Sequence, residues 1–506
     1  MLNDDLLSSQ QQKTLYPSLE DNIQQIRTDL GFSTDIIVRK MTLGLSHRLP
    51  VNFLYLDGMV DTNFIQEFLI PSLMHVEDEA GSTETLAAAD HFLKEIGNAI
   101  LVSTNVQYVV ELTEVYQLIL SGYTIILIEG IPQAIAANTA QWKERSIQES
   151  DSQTVVRGPK EAFTENIRNN TTLLRRKIKS PNLWIETREL GSTTKTSVAI
   201  MYLHGTVDID VLSELRSRLD QVDLPNILES GYIEHYIQEK GYSPFPTIYN
   251  TERPDIVAAA LIEGRIAILV DNTPFVLIAP AIFVHFMQSP EDYYQRPDVS
   301  SLIRLLRYIT VFISLLAPSL YIAITTYHQE MIPSDLIISL AAQREGIPFP
   351  AFVEAFMMET TFEILREAGI RLPKAVGQAV SIVGALVIGQ AAVEAGLVTP
   401  GMVIIVSLTA IANFTFPAFN MGLAVRMLRF GFMILASTFG LFGILIGLII
   451  LLLHMSNLTS FGVPYITPIT LFQRGNSKET IIRFPNSLLK KVKQSFSQTN
   501  TDKSLK

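Results

Sequence analysis

The chain has 506 residues, 48% of them hydrophobic, a formal net charge of −11 and no cysteine. The acidic balance argues against nucleic acid as a partner, and the missing thiols exclude disulfides, thiolate zinc sites and cysteine nucleophiles. The length leaves room for two or three domains, and a mean hydropathy of +0.26 reflects a polar front half diluting an apolar back half.

In chain order, the opening Met1-Leu2-Asn3-Asp4-Asp5 is acidic and lacks an apolar core. No cleaved signal peptide is expected, and the front part is placed in the cytoplasm. Residues 1–40 read as an N-terminal segment. An α/β subdomain is expected over 41–140, a linker and helix over 141–185, and a second α/β subdomain over 186–300. The pairing rests on two passages that recur in order at nearly equal offsets. YLDGMVD (Tyr55–Asp61) matches YLHGTVD (Tyr202–Asp208), and ILSGYTIILIEGIP (Ile119–Pro132) matches LIEGRIAILVDNTP (Leu261–Pro274). Each copy reads as strand, turn, helix and then a two-strand hairpin. Ser121-Gly122 and Glu263-Gly264 supply turns before the apolar runs IILIE and AILVD. The polar stretch Gln141–Val156 is a linker by composition, and Pro159 opens a predicted helix through Phe163, Ile167, Leu174 and Ile178.

This front part carries no P-loop, GxGxxG, HExxH or nucleophile elbow, so no catalytic residue, cofactor or metal is assigned and an enzyme is not expected. Glu129 and Asp271 hold equivalent repeat positions, where solvation at a strand end is the default role.

Residues 301–470 read as an all-α polytopic transmembrane domain, followed by a basic cytoplasmic tail over 471–506. The charge-free runs Tyr308–Tyr327, Ala375–Val393, Ala395–Val425 and Phe430–Leu453 each read as long enough to cross a bilayer, which needs roughly 20 apolar residues as helix. Arg304 and Arg307 before the first run, and the lysines of the tail, favour a cytoplasmic side at both ends. Arg366, Arg371, Lys374, Arg426 and Arg429 do not all fit inside with four spans, which leaves room for a re-entrant or extra crossing between Met331 and Pro373. Pro318 and Pro417 are positioned to kink or hinge their helices.

Two helices stand out. Phe349–Gly369 is amphipathic, with Glu359, Glu363 and Glu367 on one face, and fits either the membrane interface or the lining of a vestibule. In Ala375–Val398, small residues share one face while Val376, Val380, Val383, Val387, Gln390 and Glu394 form a second stripe. In a ring of identical copies the valines would form an apolar gate, with Gln390 and Glu394 a polar, cation-favouring mouth. Alternatively the valines face lipid or another helix, and Glu394 snorkels beside the Thr399-Pro400 break.

The phrases RGPKEAFTENI (Arg157–Ile167), SPFPTIYNTERPD (Ser243–Asp255), MQSPEDYYQR (Met287–Arg296), SLAAQREGIPFP (Ser339–Pro350), LREAGIRLP (Leu365–Pro373), IGQAAVEAGLV (Ile388–Val398) and MGLAVRMLRF (Met421–Phe430) resemble the A subunit of GerA-family spore germinant receptors. The resemblance is strong from Asp151 to Pro468 and covers the first 150 residues by layout only. It implies a multi-pass protein of the bacterial spore inner membrane. It also implies work with a transporter-like B subunit and a lipoprotein C subunit, and homo-oligomers that pass monovalent cations early in germination. A paralogue encoded with the spore dipicolinate channel shares this layout. Because the Ala375–Val398 helix carries one of the family phrases, the resemblance raises the pore reading of its stripe. A non-conducting scaffold and a secondary transporter are the competing functions. Arg157 and Arg253, within these phrases, are candidate interdomain or intersubunit anchors, with solvated loop arginines as the alternative.

Overall fold

A computed structural model describes residues 13–43, 49–74, 97, 100, 104–141, 153, 155, 157–239, 241–371, 389–467 and 483. The chain divides into two compact units. An α/β unit is built from residues up to Pro280 and a helical unit from Ala281 onward, with short pieces around 155–158 and 239–249 assigned to the second.

The α/β unit contains two five-stranded antiparallel sheets. The first uses β1 (Ile36–Leu43), β2 (Leu49–Leu56), β3 (Val106–Val109), β4 (Tyr123–Ile128) and β5 (Ala134–Asn138), in the order β1-β2-β4-β5-β3. The second uses β6 (Leu183–Leu190), β7 (Thr196–Leu203), β8 (Tyr249–Thr251), β9 (Ile266–Val270) and β10 (Val276–Ala279), in the corresponding order β6-β7-β9-β10-β8. Side chains alternate across a strand, yet both faces of the first sheet are buried. Leu54, Leu56, Ile125 and Leu127 lie in one core, and Val51, Phe53, Ile126 and Ile128 in another. Burial on both sides is why these strands read as unbroken apolar runs.

The two sheets share registers as well as order. Ile36 faces Leu56 as Leu183 faces Leu203, and Val51 faces Ile128 as Val198 faces Val270. Gly122 and Gly264 both sit at φ +87 ahead of their strands, and a Cβ there would meet the carbonyl oxygens of Met59 at 2.8 Å and Thr206 at 2.6 Å. Positive φ and backbone contact together demand glycine at both turns.

Helices α1 (Leu19–Asp29) and α2 (Leu112–Ile119) belong to the first repeat, and α3 (Ile167–Lys177), α4 (Ile209–Asp220), α5 (Ser230–Ile237) and α6 (Pro254–Ile262) to the second. The predicted helix opening at Pro159 instead begins at Ile167. Asn166 caps it by accepting from the Arg168 and Asn169 amides, and buried Asn170 folds the preceding loop by bonding both backbone groups of Thr164. In the first repeat buried Asn22 does the same to Tyr16 before α1. Glu129 and Asp271 are not free strand ends. Glu129 accepts from the Leu19 amide at 3.1 Å, and Asp271 from the Ile167 amide at 3.0 Å, so each carboxylate caps the helix that starts its repeat.

The helical unit contains α7 (Pro297–Thr326), α8 (Ser334–Arg344), α9 (Ala351–Arg371), α10 (Pro400–Asn413) and α11 (Phe419–Asn457), the last broken at Gly440. Among the described residues, α7 and α11 are long and apolar enough to cross a bilayer, and α10 is a shorter apolar helix. The run Ala395–Val425 is therefore not one span. Thr399 caps and Pro400 starts α10, which ends at Asn413, and Pro417 lies in the turn before α11. The run Ala375–Val393 falls mostly outside the described residues.

Candidate functional site

The site is a cluster of ionisable side chains among helices α7, α9, α10 and α11, and it starts from a proline. In an α-helix the carbonyl of residue i accepts from the amide of i+4, and proline has no amide hydrogen. Pro318 inside α7 therefore leaves the Ser314 carbonyl without its helical donor. Arg429 of α11 occupies that vacancy. Its Nε donates to the Ser314 carbonyl at 2.7 Å and its Nη2 to the Ser314 hydroxyl at 3.0 Å. Its Nη1 donates to Glu359 of α9, and both side chains are shut away from water, at 1% and 0% exposure.

One turn away, Arg426 pairs with Glu363. The spacings match, since residues four apart on α9 and three apart on α11 face the same neighbour. Arg366, also on α9, lies over the rings of Phe362 and Phe414 at 5.3 and 5.1 Å. With its amide oriented to satisfy both ends, Asn413 accepts from the Arg366 Nη1 and Nη2 at 2.6 and 3.0 Å. Three guanidiniums thus meet two carboxylates. Beside them an apolar groove of about 210 Å³ runs between α9 and α10, lined by Met358, Phe362, Val406, Ala410 and Phe414 among others. At the start of α10, buried Glu354 accepts from the Thr399 amide at 2.9 Å and lies 3.4 Å from Arg344.

Glu359 therefore does not face water in the single chain, because Arg429 holds it inside, and Glu363 is turned toward Arg426. Of the three vestibule candidates, Glu367 is the exposed one, paired with Arg371 one turn on. Val376, Val380, Val383 and Val387 lie outside the described residues. Gln390 and Glu394 are exposed, and the Gln390 amide donates to the Glu394 carboxylate at 2.9 Å.

Arg253 is fully buried within the α/β unit. It grips Asp255 through two bonds, of 3.1 and 2.8 Å, and donates to the carbonyls of Gln153 and Pro159. Within the chain it anchors the linker between the repeats. Arg157 is exposed, and its backbone amide donates to Glu291 at 3.1 Å.

Arg304 and Arg307, read from the sequence as basic flanks of the first span, converge on buried Asp292 at 2.9 and 2.7 Å. Of the basic tail only Arg483 is described, and it donates to the carbonyls of Tyr293 and Gln295. Sequence reasoning missed the pairing of Arg426 and Arg429 with α9. The available signal was Pro318, whose i−4 carbonyl needs a donor from elsewhere.

Residues 24–495 match the family model described as Bacillus/Clostridium GerA spore germination protein. Spore germination protein KA of Bacillus subtilis (strain 168) is 47% identical over 469 residues, covering 93% of this chain and 85% of that protein. The uncharacterized membrane protein YfkQ of the same organism is 42% identical over 501 residues, covering 99% and 95%. The crystal structure of the N-terminal domain of the A subunit of the Bacillus megaterium spore germinant receptor GerK3 is 36% identical. It covers 54% of this chain and 99% of its own, with a TM-score of 0.43.

Proposed function

The chain belongs to the GerA spore germination protein family, and from that premise we propose that it is a membrane subunit of a nutrient-germinant receptor whose copies assemble into a cation-conducting pore. Its partners in this reading are the transporter-like B subunit, the lipoprotein C subunit, further copies of itself, membrane lipid and monovalent cations. It resides in the spore inner membrane as a multi-pass protein, with the α/β unit and the basic tail in the cytoplasm.

The observation that carries the reading is the inverted polarity of the helical unit. Charges are turned inward, at Glu359–Arg429 and Glu363–Arg426. Large apolar side chains are turned outward along α11, at Ile434, Phe439, Phe442, Leu445, Ile449 and Leu452. Soluble proteins arrange these the other way, whereas a helix bathed in lipid has no reason to hide leucine. For conduction, support comes from exposed Gln390 and Glu394, a polar pair at the end of the valine stripe.

The test is conductance of the complete receptor in liposomes. Monovalent cations should pass, Val383→Ala should make the path leaky, and Glu394→Gln should weaken the preference for cations. Absence of conductance with every partner subunit present would overturn the pore and leave the scaffold reading. Saturable, ion-coupled uptake by this subunit alone would instead support a transporter.

A further inference from the structure

The contact between the two α/β repeats supplies a template for a contact the first repeat is also built to make. Strand β6 is the outer strand of the second sheet, and the first repeat covers it with the loop before β1. The Ser33 hydroxyl accepts from the Ile185 amide at 3.1 Å, and the Thr34 amide donates to the Ile185 carbonyl at 3.2 Å. Asp35 then takes the Arg175 Nε and Nη2 at 2.9 and 3.0 Å, a two-pronged pair at the last turn of α3. Gly31 makes room for the Trp184 indole, which any Cβ there would strike. Three features of the loop thus recognise the edge: a side-chain acceptor, a free amide one residue on, and a carboxylate next.

The first sheet presents the same edge. Strand β1 is its outer strand, and β1 meets β2 in the register with which β6 meets β7. Val38 stands opposite Leu54 as Ile185 stands opposite Met201, so its amide and carbonyl point off the sheet as those of Ile185 do. Arg27 holds the place on α1 that Arg175 holds on α3, each two residues before its helix ends. Arg27 is exposed and has no acidic partner among the described residues. At the position of Thr187 the first repeat carries exposed Lys40, which pairs with Glu20 of α1 at 3.3 Å and leaves Arg27 to supply the cation at this edge.

We propose that the outer edge of β1, together with Arg27, docks a loop of a partner protein carrying the pattern acceptor–X–Asp, with X other than proline. Backbone bonds to Val38 give the addition of a short extended segment, and Arg27 selects for the carboxylate. A second copy of this chain does not fit through its own second repeat. The matching segment there is Ser180-Pro181-Asn182, which lacks both the amide hydrogen and the charge. An open strand edge is otherwise a liability that proteins cover or charge.

The probe is a synthetic peptide of the sequence from Gly31 to Ile37 with a photoreactive group at its N-terminus, held at millimolar concentration with the full-length protein in detergent micelles. Cross-links should map to Ile36–Leu43 and the end of α1. They should fall about tenfold with Arg27→Gln in the protein, and similarly when the peptide carries asparagine for aspartate or proline for threonine. Arg27 is exposed, so an unchanged melting curve for Arg27→Gln separates lost docking from lost folding. Labelling at β6, or labelling indifferent to those changes, would overturn the proposal. So would labelling that appears only after removal of residues 1–12, which would assign the edge to the chain's own acidic start.

Discussion

The α/β unit and the helical unit bury charge in opposite contexts. In the first, the cores are apolar on both faces of the first sheet, and a two-pronged pair, Asp35–Arg175, joins two repeats together with the more exposed pair Asp57–Arg168. In the second, the exterior is apolar and the ion pairs lie inside. Arg429 supplies at once a partner for Glu359 and the hydrogen bond that Pro318 removed. A pair at an already formed interface adds specificity to a stable structure. A pair that also replaces a missing backbone bond becomes part of the helix packing itself.

The sharpest way to break that comparison is Arg429→Met. It strands a carboxylate with no access to water and frees the Ser314 carbonyl, and removing one member of a buried pair costs about 3–5 kcal/mol. The expected outcome is loss of the folded, detergent-soluble helical unit, read by thermal unfolding or limited proteolysis. The double variant Arg429→Met with Glu359→Leu should recover a large share of that loss, since it removes the stranded charge. Failure of the second change to restore anything would show that the Ser314 carbonyl, not Glu359, is the group that needs Arg429.

Asp35→Asn is the matching change in the α/β unit. The carboxylate is 11% exposed, and the amide keeps a bond to Arg175 while losing the charge, so about 1–3 kcal/mol is expected. Each repeat should keep its own sheet, so the loss should appear as separation of two melting transitions. A single transition shifted as far as that of Arg429→Met would mean the two pairs are equivalent after all.

These two regions also differ in how openly the sequence displayed them. Strands β4 and β9 announced themselves as IILIE and AILVD because burial on both faces leaves no polar residue to interrupt the run. The paired phrases around Gly58 and Gly205, and around Gly122 and Gly264, exposed the two related units because turn geometry tolerates little else at those glycines. Helix starts were harder. Asn22 and Asn170 shape equivalent loops, but a polar residue inside a helix gives no sign that it folds backward onto the loop before it. The helical unit hid most. Arg304 and Arg307 read as cytoplasmic flanks, and Arg426 and Arg429 as charges that do not all fit on that side with four spans, because an arginine in a linear string shows its charge and not its partner. Asp292, shared by Arg304 and Arg307, and Glu363 and Glu359, one each for Arg426 and Arg429, pair with these four inside the unit, so their weight in assigning membrane sidedness falls.

A pH profile sharpens the comparison with a smaller effect, confined to the α/β unit. Burial pushes the Glu234 carboxyl on α5 up to about 7, against the opposing pull of the Asn250 amide. A carboxyl that holds its proton more tightly when folded stabilises the fold in full below the ordinary carboxylate range, and that contribution is lost as pH rises through about 7. The α/β transition should therefore fall by on the order of 1 kcal/mol between pH 5 and pH 8. Glu234→Gln should remove most of that slope while leaving the transition of the helical unit in place. A slope unchanged by the substitution would assign it to another group.

The smallest expected effect is the control for the whole comparison. Glu367 lies on the same helix as Glu359 and Glu363, and it too pairs with an arginine, Arg371, at 2.6 Å. Both partners are more than half exposed, so water screens the attraction, and ordering two long side chains offsets much of what remains. Glu367→Gln should therefore change stability by less than about 0.5 kcal/mol, the usual range for a pair one helical turn apart. One helix then carries carboxylates that differ mainly in what surrounds them, and the ratio between Arg429→Met and Glu367→Gln measures enclosure, not pairing. If Glu367→Gln proved as damaging as the loss of Arg429, Glu367 would have to be enclosed in the assembled receptor. That result would place this end of α9 against another subunit.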